Sequence, residues 1–194
     1  IVIPTDEDLE PARIGIDAAR DGPDMGTIYC YWACKVWRHA KISGQDTNQY
    51  AGAVQELVEK LKTQGVKKIR IRIDNGGGYG GGVRDRLVED LKDIVEDVEI
   101  ALVQFVWKAY DEHHFGDRIT ELYADAAETL KGIRVEDPPV ELETDLCDRE
   151  YRWINRAGKE LKILEPKDAF RLRNKRSSDD GDGFVLAVAP DRMV

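Results

Sequence analysis

Asp17 closes the short apolar segment ARIGID, and Asp74 follows the alternating segment KKIRIRI. Asp179, Asp180 and Asp182 crowd into four positions at the entrance of a third apolar run, SSDDGDGFVLAVA. Carboxylates gathered from separate segments repel one another and raise each other's pKa unless a cation joins them. Hard divalent ions such as Mg²⁺ take carboxylate oxygens and keep several waters. Two such ions about 3.5–4 Å apart stabilise both the entering and the leaving oxygen in phosphodiester cleavage. That chemistry needs about three or four carboxylates on a rigid frame, and Asp17, Asp74 and Asp182, with Asp179 beside them, meet the need. A second reading stands beside it for Asp179: a helix N-terminus is electropositive and accepts a carboxylate with no metal at all.

The frame follows from the surrounding pattern. Residues 12–17 read as a strand, and 27–42, rich in aromatic and β-branched residues, as a long strand or a hairpin. Thr47 is the expected N-cap of a helix with Tyr50, Val54, Leu57, Val58 and Leu61 on one face, ended by Gly65. Residues 67–73 alternate basic and apolar, as a half-buried strand does. NGGGYGGG (75–82) reads as a loop of extreme backbone freedom. Val83, Leu87, Leu91 and Ile94 mark a second helix, 98–107 a strand, and Ile119, Leu122, Tyr123, Ala126 and Leu130 a third helix closed by Gly132. Residues 150–165 read as a hairpin turning at Arg156–Lys159, and the aspartate-rich stretch opens the last helix. This order predicts one α/β domain, a mixed sheet with helices on its faces. If the first strand and 67–73 run side by side in parallel, Asp17 and Asp74 emerge at one sheet edge, where ligand chemistry concentrates in α/β sheets. Asp179 and Asp182, three apart, share a helix face. Asp180 turns about 100° aside and is expected to face water.

The net charge of −9 over 194 residues argues against a nucleic-acid binder, because phosphate affinity comes from Lys and Arg. The distribution opposes the sum. Lys67, Lys68, Arg70 and Arg72 form one cluster, and Lys167, Arg171, Arg173, Lys175 and Arg176 another that leads into the aspartates. Each cluster is either a solvated face or a phosphate-contacting surface. Cys30, Cys34 and Cys147 form no zinc-like CxxC pair, and their odd number, with no secretory signal, fits a reducing cytosol. Cys30 and Cys34 read as core or face residues. No apolar stretch approaches the ~20 residues of a membrane span. No G-x-x-x-x-G-K-[ST] phosphate loop occurs.

Four motifs then carry a resemblance: IGIDAARDGPD (14–24), IRIDNGGGYGGGVRDRL (71–87), FGDRITELYADAAETLKG (115–132) and EPKDAFRLRNKRSSDDGDGFVLA (165–187). In this order and at these separations the chain resembles, from about residue 12 to 190, the C-terminal nuclease domain of the large terminase subunit of tailed bacteriophages. The resemblance implies a ribonuclease H-like (resolvase-type) mixed sheet flanked by helices, with an added β-hairpin near the C-terminus. It implies that Asp17 is the first-strand metal ligand, Asp74 the second acidic ligand and Asp182 the third, with Asp179 as a neighbour joining the metal shell. The sequence departs from the family in Ser178, where Pro is usual, and in Gly181 and Gly183, where Ala is usual. Each glycine weakens the helix start by roughly 1 kcal/mol relative to Ala.

The expected activity is that of a divalent-metal-dependent endonuclease using two Mg²⁺ or Mn²⁺ ions on concatemeric double-stranded viral DNA. Lys167 would orient a metal ligand or a phosphate, and Arg171, Arg173, Lys175 and Arg176 would contact phosphates. His113 and His114 are further candidates for DNA or metal contact. The implied partners are duplex DNA, the packaging ATPase domain of the same subunit, the phage portal and the small terminase subunit, with no membrane, in the host cytoplasm. Residues 1–11 read as a tether to that ATPase domain, and 12–194 as the nuclease domain. The opening Ile-Val-Ile-Pro, without Met, fits an excised or cleaved piece. Two alternatives remain open: a junction resolvase or transposase-type nuclease on the same fold, and a non-catalytic module that docks on the portal or grips DNA.

Overall fold

The computed structural model describes residues 10–19, 25–44 and 46–190; most of the expected tether lies outside them. Six strands form one sheet: β1 (Ala12–Asp17), β2 (Met25–Trp32), β3 (Lys35–Ser43), β4 (Lys68–Asp74), β5 (Asp97–Val103) and β6 (Arg134–Val135). Their order is β5-β4-β1-β2-β3-β6. β1 pairs with β4 in parallel, as do β4 with β5 and β3 with β6, while β1–β2 and β2–β3 are antiparallel. The expected mixed sheet is therefore present, and 27–42 resolves into a hairpin rather than one strand. Its turn places Ala33 and Cys34 at positive φ. Cys30 lies in the core, but Cys34 is exposed on that turn, against the expectation of a buried face.

Period-two alternation divides the sheet's faces. Ile14 and Ile16 of β1, with Ile69, Ile71 and Ile73 of β4, pack against α1 (Thr47–Thr63) and α2 (Tyr79–Leu91). Asp46, not Thr47, caps α1, accepting from Asn48 N. The last four residues of 75–82 form the first turn of α2 rather than loop. The other face carries α3 (Arg118–Thr129), α4 (Val140–Cys147) and α6 (Asp179–Val188) over Tyr29, Tyr31 and Val36. The strand expected over 98–107 ends at Val103. A separate hairpin, β7 (Tyr151–Arg156) with β8 (Lys159–Leu164), stands where expected. Its neighbour α5 (Lys167–Asn174), like α4 and β6, has no apolar periodicity long enough to announce it.

α6 decides the arrangement. From Asp180 to Val188 every residue is buried, so it has no polar face to offer water. It runs antiparallel to β1 in close contact: a Cβ on Gly15 would stand 2.3 Å from the Gly183 carbonyl oxygen and 2.4 Å from Ala187 N. The unexpected glycines have the same cause. A Cβ at Gly183 would meet Thr27 Oγ1 at 2.3 Å, and one at Gly181 would meet the Tyr123 hydroxyl at 2.6 Å. The helix's final carbonyls, left without intrahelical donors, receive two guanidinium groups from the sheet. Arg13 donates to Ala189 O at 2.9 Å and Arg72 donates to Ala189 O at 2.7 Å and Leu186 O at 3.1 Å. Positive charge at that end also suits the helix dipole. The basic cluster at 67–72 is thus no single surface: Arg72 is buried under α6, and Arg70 pairs with Asp97 and Glu99 of β5.

Gly15→Ala should destabilise the domain by about 1–3 kcal/mol, the usual cost of overpacking, because the methyl would meet helix backbone rather than a side chain that can turn away. A urea midpoint equal to that of the parent would contradict this close contact.

Candidate active site at the sheet edge

Ile16 and Ile73 are paired across the parallel strands, so Asp17 and Asp74 follow as the next residue on each. Both leave the sheet on the α6 face, opposite the isoleucines. α6, running against β1, brings its first turn to the same edge. The result is an open cleft of about 730 Å³ lined by Asp17, Asp74, Asp179 and Asp182. Gly76 and Gly77 form one side, Phe105 and Val106 a second, Arg152 and Ile163 of the hairpin a third, and Lys167, Asp168 and Arg171 of α5 a fourth. The four sequence-predicted acidic residues are brought together.

Their surroundings differ. Asp182 is 1 % exposed. Its Oδ1 accepts from the Tyr123 hydroxyl at 2.9 Å and from Arg149 at 3.0 Å, and its Oδ2 pairs with Lys167 Nζ at 2.8 Å. Burial alone would raise its pKa, but Lys167 and Arg149 outweigh burial and hold it below the ordinary carboxylate range. Asp17 has the opposite balance. Its burial, reinforced by Asp182, Asp74 and Asp179 and opposed by Lys167, pushes it well above that range. Asp179 accepts from Met25 N at 3.3 Å, and its carbonyl accepts from the Thr27 hydroxyl at 2.8 Å, which fastens the start of α6 to β2. Asp74 Oδ1 accepts from Gly76 N at 2.9 Å.

Lys167 sits among these groups, its ammonium 2.8 Å from Asp182, 3.2 Å from Asp179 and 3.5 Å from Asp17. Despite desolvation, the three carboxylates keep it firmly protonated. The protein itself therefore supplies a cation where the carboxylates converge. Among the described residues no three of the His, Cys, Asp and Glu side chains are close enough, as they stand, to hold a metal ion. The donor set nonetheless fits a hard divalent cation: four carboxylates on two strand ends and one helix start, in an open, partly solvated cleft. Lys167, about one third exposed on a long flexible stem, is the group that must yield for them to gather around an ion.

Asp180 does not face water. It is 1 % exposed and accepts from the Tyr29 hydroxyl at 2.8 Å, Arg38 at 2.9 Å and Lys41 at 3.0 Å. Burial would raise its pKa, but these hydrogen bonds more than compensate and lower it. Turning aside from Asp182 on a fully buried helix leads to another element, not to solvent. Arg38 and Lys41, three apart on a strand, would ordinarily point to opposite faces. The register shift that pairs Ile28 with Ala40 but Tyr29 with Arg38 leaves His39 over and puts both cations on the α6 side.

The other basic residues divide. Arg171 lines the cleft with Lys167. Arg173 donates to Glu165 Oε1 and to Asp148 O, both at 2.5 Å. Arg176 pairs with buried Asp145 and donates to Glu141 O at 3.0 Å, joining α4 to the start of α6. Lys175 ends α5 in the left-handed conformation, its ammonium on Leu172 O. Of the five, only Lys167 and Arg171 line the cleft. His113 and His114 lie outside it, His114 against Asp111 at 2.6 Å. Two residues that hold Asp182 escaped sequence reading. Tyr123 was legible only as an apolar helix position, and Arg149 stands in no periodic or charged pattern.

No family model and no curated protein sequence matches the chain. The fold does match solved structures. The nuclease domain of the large terminase subunit gp2 of bacterial virus Sf6 superposes with a TM-score of 0.71 at 14% identity, over 93% of this chain and 88% of that one. A lysine-to-alanine mutant of that domain with manganese and beta-thujaplicinol gives 0.72 at 13% identity over the same shares. The corresponding mutant gp2c with calcium gives 0.71 at 14%. The likeness is one of fold: the mixed, helix-flanked sheet expected of a ribonuclease H-like nuclease domain.

Asp180→Asn should lower stability by about 1–3 kcal/mol, since it weakens the charge-assisted hydrogen bonds that hold a buried carboxylate to Arg38 and Lys41, and should leave calcium affinity unchanged. Denaturant unfolding and calcium calorimetry together check this. Unchanged stability with lost calcium binding would place Asp180 in the metal site instead.

Proposed function

We propose that this chain is a divalent-metal-dependent endonuclease domain of a phage DNA-packaging terminase, cutting concatemeric double-stranded viral DNA. The observation that carries the reading is the convergence of four carboxylates, from three chain segments, in one cleft that Arg152 and Arg171 also line, with Asp17, Asp179 and Asp182 set around the Lys167 ammonium. The likeness to terminase nuclease domains solved with manganese and with calcium supports it.

Asp17, Asp74 and Asp182 would hold Mg²⁺ or Mn²⁺, with Asp179 completing the set. When bound, a pair of such ions supplies the Lewis acidity that activates water and steadies the leaving oxygen of a phosphodiester. The chain's own groups do the rest. Asp17 and Asp74 are fixed by strand backbone, so their separation does not depend on loop motion. Arg171, with Arg152 across the cleft, would meet duplex phosphates. These arginines would let an acidic protein meet a polyanion locally, with cations cancelling the carboxylates between. Lys167, displaced from the carboxylates, remains within reach of a phosphate oxygen.

In this reading the partners are duplex DNA, the packaging ATPase domain of the same subunit, the portal and the small terminase subunit, in the host cytoplasm. No helix among the described residues is long and apolar enough to cross a membrane.

Plasmid nicking in Mg²⁺ or Mn²⁺ tests the proposal. The parent should cut, and Asp74→Asn should lose more than about 100-fold, beyond the upper end of what removing an outer-sphere partner costs. Equal cutting by both, or none by the parent with either metal, would sink the assignment. The second outcome would favour a non-catalytic docking or DNA-gripping module.

A further inference from the structure

The Asp182 carboxylate is held from behind by a group that belongs to neither the carboxylate set nor the basic stretch before it. Arg149 lies between α4 and β7, its side chain 4 % exposed. One terminal nitrogen donates to Asp182 Oδ1 at 3.0 Å and the other to the Glu165 carbonyl at 2.9 Å. The guanidinium lies over the Tyr123 ring, 4.8 Å from its centroid, and the Tyr123 hydroxyl donates to the same Oδ1. Oδ1 is thus taken by two donors, while Oδ2 takes the Lys167 ammonium at 2.8 Å and, at 3.4 Å, the Ser178 hydroxyl.

Glu165 and Glu150 close the base of the β7–β8 hairpin. Glu165 N donates to Glu150 O at 2.8 Å, and Glu150 N donates to Glu165 Oε1 at 3.2 Å. The hairpin forms a wall of the cleft through Arg152 and Ile163. Its base is also pinned to α3, where Leu164 N donates to Thr120 Oγ1 at 2.8 Å. A single planar group therefore spans the foot of the wall and a carboxylate of the floor. A lysine, a point charge on one stem, could satisfy one of these partners but not both at a fixed angle.

We infer that Arg149 is a positioning residue: it fixes the Asp182 carboxylate with Oδ2 toward the cleft and ties that orientation to the foot of the hairpin wall. This rests on the metal-site reading of Asp182 given above. Carboxylates that bind metals are themselves oriented by hydrogen bonds from an outer layer, and loss of such a partner costs roughly 10–100-fold in metal affinity or activity.

The test is calcium binding by calorimetry and plasmid nicking for the parent, Arg149→Lys and Tyr123→Phe, each shown to be folded by circular dichroism. Arg149→Lys keeps the buried positive charge. It should bind calcium roughly tenfold or more weakly, and its kcat in Mg²⁺ should fall by a similar factor with KM for duplex DNA unchanged. Tyr123→Phe, which leaves Arg149 on Oδ1, should lose less calcium affinity than Arg149→Lys. Calcium affinity and kcat equal to the parent in Arg149→Lys would overturn the proposal. So would a raised KM with unchanged kcat, which would make Arg149 a DNA contact. If Arg149→Lys does not fold, Arg149→Gln, which can donate to only one of the two partners, decides: parental calcium affinity there would overturn the proposal. The parent's nicking separates the two readings. If the parent cuts and Arg149→Lys cuts equally, only this inference fails. If the parent does not cut, the nuclease reading fails, and the calcium measurement still judges Arg149.

Discussion

A helix that is apolar on every side cannot lie on a surface, and the position of α6 governs the rest of this fold. It is covered by β1 and β2 beneath and by α3 and α4 beside it. Close approach is possible because Gly15, Gly181 and Gly183 omit the side chains that would hold the layers apart. Only the two ends of the helix carry unsatisfied polarity. The sheet answers the carbonyl end with Arg13 and Arg72, and the amino end carries aspartates that suit its dipole. The alternation of β1 and β4 that puts arginines under one end of α6 puts Asp17 and Asp74 beside the other. The carboxylate cluster thus follows from burying α6 antiparallel to β1.

The cluster is balanced by two separate cationic systems. Asp180 is neutralised on the β2–β3 side by Arg38 and Lys41, with the Tyr29 hydroxyl between them, an arrangement that a β-bulge makes possible. Asp182 is neutralised by Arg149 and Lys167. The cations of the first pair are themselves partly exposed beside the buried carboxylate. Of the second pair, Arg149 is buried and doubly bonded, whereas Lys167 reaches in from α5 and is partly exposed. A buried charge that loses its partner is expensive, so Lys167 can leave only as another cation takes its place. In the proposed reading, that exchange would link this arrangement of the cleft to a metal-loaded one.

Much of this was legible in sequence because it depends on local periodicity. The isoleucines of ARIGID and KKIRIRI alternate at period two, so the aspartate after each run lies on the face opposite the core. Parallel pairing of β1 with β4 then brings Asp17 and Asp74 to one edge. The hairpin at 151–164, the helices with clear apolar stripes and the last helix beginning at Asp179 are legible for the same reason. α4 and α5 are not: each is only eight residues long, too short for an apolar stripe to stand out, and α5 is strongly polar. The basic run 167–176 looks uniform in sequence, yet Arg173 and Arg176 are committed to carboxylates on neighbouring segments while Lys167 and Arg171 reach the cleft.

Residue type and spacing by themselves determined that Asp17 and Asp74 each end a strand and that Asp179 and Asp182 share a helix face, because strand alternation and helix periodicity are properties of a few consecutive residues. Only the tertiary structure decided what each carboxylate meets. Asp180 and Asp182 are two positions apart on one helix, but one is bound by residues 142 and 139 positions away in β3 and the other by Tyr123, Arg149 and Lys167. The direction and charge state of a buried carboxylate are set by whichever donors the packing brings within about 3 Å, and that proximity is written in no single segment of the chain.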